Sequence, residues 1–217
     1  MIVLRGIEKR FSNEVIALRG IDLHIHSGEA VAVLGASGSG KTTLMDIIGT
    51  LSKPTAGEYL LRGEKVQGFG DFRLARARRD TFGYIFQSFN LIHDWTVKKN
   101  LQLAMRYRRK TSEKELQDAL DRINLGDKLN TRVNTLSGGE QQRVAIARTF
   151  LRDPNIILAD EPTGNLDVDN AERVMDMLFA LHARSKTLIM ITHNTELADR
   201  FPRLIRLDKG LITEAGA

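Results

Sequence analysis

"GASGSGKTTL", residues 35–44, stands between an apolar run, Ala30-Val31-Ala32-Val33-Leu34, and a helix-like one, Leu44-Met45-Asp46-Ile47-Ile48. Gly35 to Thr42 fits G-x-x-x-x-G-K-[ST] in full, and it lies between a strand and a helix as that pattern requires. The glycines of the loop let backbone N–H groups turn inward toward anionic oxygens, and the helix that follows adds its N-terminal partial positive charge. Lys41 is a point charge for β- and γ-phosphates, with its stem expected to be solvated when no nucleotide is bound. Thr42 offers a hydroxyl to Mg²⁺. A loop that closes around phosphates is the reading these residues carry.

Further along, short apolar runs at 30–35, 155–160 and 187–192 read as strands covered on both faces, because they do not alternate. Helical segments separate them, so a mostly parallel α/β sheet is expected. The run Ile156-Ile157-Leu158-Ala159-Asp160-Glu161 ends in two carboxylates. Asp160 is placed to hold Mg²⁺ through its water shell, and Glu161 to polarise a water for attack on a γ-phosphate. A base aimed at water implies hydrolysis rather than transfer to a second substrate.

The stretch 88–150 reads as mostly helical. Ser112 with Glu115 makes a capping box ahead of Leu116, Ala119, Leu120 and Ile123. Leu136-Ser137-Gly138-Gly139-Glu140 is a second helix start, with Ser137 as N-cap and Glu140 three residues on. Two glycines in a first turn cost helix stability, which makes sense if something must approach the backbone there. Near the C-terminus, Leu204 to Thr213 reads as a hairpin turning at Asp208-Lys209-Gly210.

The chain has 217 residues, 42% of them hydrophobic and 27% charged, a net charge of +5 and no cysteine. That length fits one large domain or two lobes sharing a core. Disulfides and thiolate metal sites are excluded, no window of 18 apolar residues is present, and the N-terminus does not read as a signal peptide. Two basic clusters stand out, Arg73, Arg76, Arg78 and Arg79, and Arg106, Arg108, Arg109 and Lys110. A solvated face, an anionic membrane surface and nucleic acid all fit them, but neither has the aromatic interleaving of a single-strand binding groove.

Taken together, these segments resemble the nucleotide-binding subunit of an ABC transporter along nearly the whole chain. GASGSGKT is similar to the Walker A motif, with Gly35, Ser37, Gly38, Ser39, Gly40, Lys41, Thr42 and Thr43 at its nucleotide-binding positions. IILADE is similar to Walker B, and LSGGE at 136–140 to the signature motif, with Ser137, Gly138, Gly139 and Glu140 as its contact residues. Gln87 falls at the Q-loop glutamine, Asp167 in the D-loop (Gly164-Asn165-Leu166-Asp167), and His193 at the switch histidine. Phe11 falls where the family stacks an aromatic on adenine.

The resemblance implies a P-loop NTPase fold of the RecA-like kind in a single 1–217 domain. Residues 1–87 and 151–217 would form the core with an antiparallel β subdomain, and 88–150 a helical subdomain. It implies ATP and Mg²⁺ as cofactors, with Thr42, Gln87 and Asp160 about the metal and Glu161, His193 and Gln87 as catalytic residues. Two copies would face each other head to tail around two ATP, each nucleotide on one chain's Walker A and under the other's signature helix.

The runs ADEPTGNLD (159–167) and RRDTFGYIFQSFNLIHDWTV (78–97) resemble a bacterial subgroup, the MacB, LolD and FtsE types. That likeness implies an integral membrane permease subunit with extracytoplasmic domains as partner, attachment at the cytoplasmic face of the inner membrane, and no nucleic acid. Transport and mechanotransmission both fit, as does an FtsE-like regulatory role. Phe89, Leu91, Ile92 and Trp95 are expected to be exposed and to receive the partner's coupling helix. Three positions depart from the pattern: Lys98-Lys99-Asn100 is more basic than usual, Phe11 replaces the commoner Tyr, and Thr149 replaces Ala. A repair-type coiled coil and a second cassette, marks of nucleic-acid-associated relatives, are absent from these 217 residues.

Overall fold

Hydropathy spacing separates two sheets in the computed structural model, which describes residues 1–12, 15–105 and 111–215. The basic cluster at 106–110 lies outside the described residues. In β1 (Ile2–Arg10) and β2 (Ile16–Ile25) the buried positions Ile2, Leu4, Ile7, Leu18, Ile21, Leu23 and Ile25 are interspersed with exposed ones, so each strand offers one face to the core. They pair antiparallel and are joined by β4 (Ala56–Leu61) and β5 (Glu64–Lys65) in the order β2-β1-β4-β5.

The strand β3 (Ala30–Leu34) is buried at every residue. Ala30, Ala32 and Leu34 pack into one apolar cluster and Val31 and Val33 into another, on opposite faces of its sheet. That sheet also contains β6 (Phe82–Ile85), β7 (Ile156–Asp160), β8 (Thr187–Thr192), β9 (Arg203–Asp208) and β10 (Leu211–Ala215). Its order is β10-β9-β3-β8-β7-β6, parallel throughout except for the β9–β10 hairpin. The hairpin turns on Lys209 and Gly210, both at positive φ.

Seven α-helices are described. The first, α1 (Lys41–Ile48), follows the phosphate loop. The arginine-rich α2 (Asp71–Asp80) comes before β6. Between β6 and β7 lie α3 (Val97–Met105), α4 (Glu113–Asp121) and α5 (Gly138–Arg152). The last two are α6 (Val168–His182) and α7 (Thr195–Ala198). Leu101, Leu116, Leu120 and Val144 share an apolar cluster with Ala32 and Leu188 of the sheet, so the helical stretch is continuous with the core.

The arginines of α2 are engaged locally. Arg73 meets Glu64, Arg76 and Arg79 meet Asp80, and Arg78 donates to the Thr50 carbonyl past the end of α1. This cluster is a paired, solvated face.

The expected capping boxes are both present. Ser112 pairs with Glu115 and Ser137 with Glu140, each in both directions. The expectation of four exposed apolar residues at 89–95 needs correction. Leu91 is 6% exposed and belongs to the core, and Phe89 packs partly buried against it. Ile92 at 38% and Trp95 at 37% do face outward.

Candidate functional site

The phosphate loop turns between β3 and α1. Gly40, the N-cap of α1, has φ +105°, and a Cβ there would collide with the Ala17 carbonyl; only glycine fits both demands. No side chain caps α1 and no acid stands in its first turn, so its leading N–H groups remain open. Ser37, Gly38, Gly40, Lys41, Thr42 and Thr43 line a cleft of about 730 Å³ at this point.

Lys41 departs from the expected solvated stem. It is 8% exposed, and Nζ donates to the carbonyls of Gly35 at 2.7 Å and Ala36 at 2.8 Å. The loop's own carbonyls hold the ammonium in place. Gly35 and Ser39 do not line the cleft. They lie under the loop against each other, Gly35 also meeting the Leu207 carbonyl, and the buried Ser39 hydroxyl has no hydrogen-bond partner among the described residues.

The opposite wall is the C-terminal edge of β7 and β8, where an open α/β sheet places its ligands. Asp160 ends β7, close to the Thr42 side chain. Burial pushes its carboxyl above the usual carboxylate range, against the lowering effect of Thr42, and the neighbouring Glu161 adds to the rise. Glu161 sits at φ +44°, a left-handed position that costs about 1–3 kcal/mol for such a residue. It is fixed there by its N–H to the Ile191 carbonyl and by the Gly164 N–H to its own carbonyl. Its Oε1 is 2.9 Å from His193 Nδ1. Gln87 lines the same cleft, its amide lying against Gly164.

At the mouth, Phe11 is 46% exposed and one of its faces is within 5.2 Å of Lys9 Nζ. Val15, Ile16 and Ala17 continue this apolar lip. Sequence reasoning missed these three, because as apolar residues leading into a strand they carry no mark of a ligand.

Ser137, Gly138, Gly139, Glu140 and Asp167 are not among the residues lining the cleft. They form a second surface. Ser137 Oγ accepts from the Glu140 N–H at 3.3 Å, and the Ser137 N–H donates to Glu140 Oε2 at 2.8 Å. Asp167 caps α6, accepting from the N–H of Asn170 at 2.9 Å and its side-chain amide at 2.7 Å. These bonds hold the Asp167 carboxyl below its ordinary value.

Asn170 also accepts from Arg143 of α5 at 2.8 Å. A Cβ on Gly139 would come within 3.1 Å of three Asn170 side-chain atoms. The second glycine of the turn is therefore required by a neighbour in the same chain. Gly138 has only the Phe89 ring edge nearby and faces open space. Asn170 was missed in the sequence, although its spacing of three from a capping Asp was a usable signal.

Among the described residues no helix is long and apolar enough to cross a membrane. The model of the ABC transporter family matches residues 18–164. An ABC transporter ATP-binding protein of Thermotoga maritima is 45% identical over 92% of this chain and 86% of its own length. The pyoverdine export ATP-binding/permease protein PvdT of Pseudomonas syringae pv. syringae is 45% identical over 98% of this chain, which spans 33% of that protein. A solved dimeric ATP-binding cassette, MJ0796 in a post-hydrolysis state bound to ADP and Pi, superposes with a TM-score of 0.91 at 37% identity, covering 100% of this chain and 98% of that one. The chain belongs to the ABC transporter ATP-binding family and is an ATPase.

Proposed function

We propose that this chain drives a membrane permease of the MacB and LolD type, two copies closing around two ATP at the cytoplasmic face of the inner membrane. The observation that carries the reading is the facing of the Lys41 loop by the Glu161–His193 pair across one cleft. ATP phosphates lie on the open N–H groups of α1, Lys41 exchanges its loop carbonyls for the β- and γ-phosphates, and Phe11 stacks on the base. Glu161 accepts a proton from the attacking water, and His193 holds that carboxylate from outside.

The residues present fit Mg²⁺. The Thr42 hydroxyl, the Asp160 carboxylate and the Gln87 amide oxygen are hard oxygen donors on residues that line the cleft, and burial disfavours an unpartnered charge on Asp160. The ion would supply charge neutralisation on the phosphate oxygens.

Ser137 and Gly138 lie outside this chain's cleft, which supports a role toward the nucleotide of a second copy. The cassette MJ0796 is itself dimeric. The permease part is supported by PvdT and by MacB of Wolinella succinogenes, 44% identical over 98% of this chain, both named as ATP-binding/permease proteins. A groove of about 210 Å³ lined by Phe86, Ile92, Leu103 and Arg148 offers the apolar surface that a coupling helix needs.

Co-purification from membranes tests this reading. The chain should carry an integral membrane protein with large extracytoplasmic parts, and its ATPase should respond to that protein and not to nucleic acid. Ile92→Glu and Trp95→Ala should keep basal ATPase within about twofold, as surface changes do, and lose the response. Recovery with nucleic acid alone, or loss of the folded state in both variants, would overturn it.

A further inference from the structure

The loop that carries Gln87 is built unusually. Phe89 at φ +60° and Asn90 at φ +49° are consecutive non-glycine residues in the left-handed region. Asparagine tolerates that region and phenylalanine does not, so something outside the local sequence must hold the turn. The turn's own bonds, Phe89 N–H to the Phe86 carbonyl at 3.2 Å and Asn90 N–H to the Ser88 carbonyl at 2.6 Å, close it without fixing its place.

The holder is Arg148, in the third turn of α5. Its guanidinium donates to the Asn90 carbonyl through one nitrogen and to the Phe89 carbonyl through the other, both at 2.6 Å. Among the described residues no carboxylate pairs with it. Burial and the neighbouring Arg152 push it down to about 10, so it stays charged at neutral pH. A half-buried charged fork spent on two carbonyls is an expensive way to fill space. The same left-handed turn sends the Phe89 ring to Gly138, at the start of α5. The loop is thus fastened to α5 at Arg148, with the Phe89 ring lying near the first turn of the same helix.

We propose that Arg148 is a positioning residue that fastens the Gln87 loop to helix α5, so that the glutamine in the nucleotide cleft and the Ser137 turn at the head of α5 move as one body. The inference rests on the reading of Gln87 as a residue acting at the nucleotide. Arg148 also lines the groove assigned above to the permease, which puts the fastening directly under the partner's contact.

The test uses the whole chain. Arg148→Met keeps the stem and loses the fork, and Arg148→Lys keeps the charge and one donor direction. In Arg148→Met, hydrogen exchange without nucleotide should speed up at the amides of residues 88–91 and stay unchanged along α5. The kcat should fall about tenfold with KM for ATP within about twofold, since nucleotide affinity comes from the Lys41 loop. Arg148→Lys should lie between.

In a Gln87→Ala background, Arg148→Met should change kcat by less than about twofold, because it acts through the glutamine. Wild-type kcat in Arg148→Met, an equal loss in both backgrounds, or unfolding of both variants overturns the proposal. If Gln87→Ala itself turns over like wild type, the reading of Gln87 fails. Exchange then decides for Arg148: faster exchange confined to 88–91 upholds the fastening, and unchanged exchange overturns it.

Discussion

Helices α1 and α5 both start at glycine-rich turns, yet their first turns are left in opposite states. The start of α1 has no side-chain cap and no acid, and it opens on a cleft of about 730 Å³. The start of α5 is closed by a reciprocal Ser137–Glu140 box and lies outside that cleft. A helix N-terminus without a cap is an anion site awaiting its anion. One already capped gains about 1 kcal/mol from its own side chains and offers a rigid surface instead. The cation differs as well. Lys41 is stored inside its loop on two carbonyls, whereas Arg143 beneath the α5 turn is committed to Asn170. One chain therefore holds an uncapped helix start on the cleft, the phosphate half of the proposal, and a capped face outside it.

The largest effect should come from disabling the phosphate half alone. Glu161→Gln keeps the shape at the end of β7 and removes the base. Phosphate release should fall about 10²–10⁴-fold, with Mg-ATP binding, read by a fluorescent nucleotide, retained. If the capped face of a second copy closes over the bound nucleotide, this variant with ATP should run as a dimer in gel filtration while wild type does not. A variant that turns over like wild type would remove the assignment of Glu161. A monomer at saturating ATP would separate the two halves for good.

Mixing two dead variants sharpens the comparison. Lys41→Ala spoils the phosphate half and Ser137→Arg the capped face, and each homodimer should be inactive. A mixed dimer pairs the intact loop of one chain with the intact α5 turn of the other at one of its two sites. Random assortment makes about half the dimers mixed, so activity should recover to about a quarter of wild type. With pairing confirmed by differently tagged chains, no recovery would mean that each α5 turn serves its own chain's nucleotide.

How much of this was legible follows the same divide. The place of the phosphate loop was readable, because Gly40 satisfies demands that are local: a positive φ, a strand before and a helix after. The capping boxes at Ser112 and Ser137 were readable for the same reason. Contacts made across the chain were not. Leu91 reads as a surface residue in the sequence because its burial depends on helices that follow later. Lys41 was expected to be solvated because nothing local announces that Gly35 and Ala36 turn their carbonyls toward it. The reason for Gly139 lies on α6, in Asn170, and the reason for the Phe89–Asn90 turn lies on α5, in Arg148. Spacing reports on neighbours in sequence, and these are neighbours only in space.

The smallest expected effect distinguishes the halves by stability rather than turnover. Burial raises the Asp160 carboxyl above its ordinary value of 3.8. The folded chain then holds that proton more tightly than the unfolded chain, so stability is lost as pH rises from the ordinary value through the folded one, and it stays lost at neutral pH. Asp160→Asn should therefore raise the Tm of the nucleotide-free protein at pH 7, by ~2–4 °C for each kcal/mol recovered in a chain of this size. The gain should vanish near pH 3.

Asp167 has the opposite sign. Its bonds from Asn170 hold it below its ordinary value, so its contribution is present at neutral pH and lost as pH falls through the folded value. Asp167→Asn should lower the Tm slightly or leave it unchanged, the group being exposed. Adding Mg-ATP should reverse the first result, because wild type gains a cation for Asp160 and the Asn variant does not. A lower Tm for Asp160→Asn without nucleotide would mean that the attraction of Lys41 and Thr42 for the Asp160 carboxylate outweighs its burial, and that this wall of the cleft is as fully satisfied in the empty chain as the capped face.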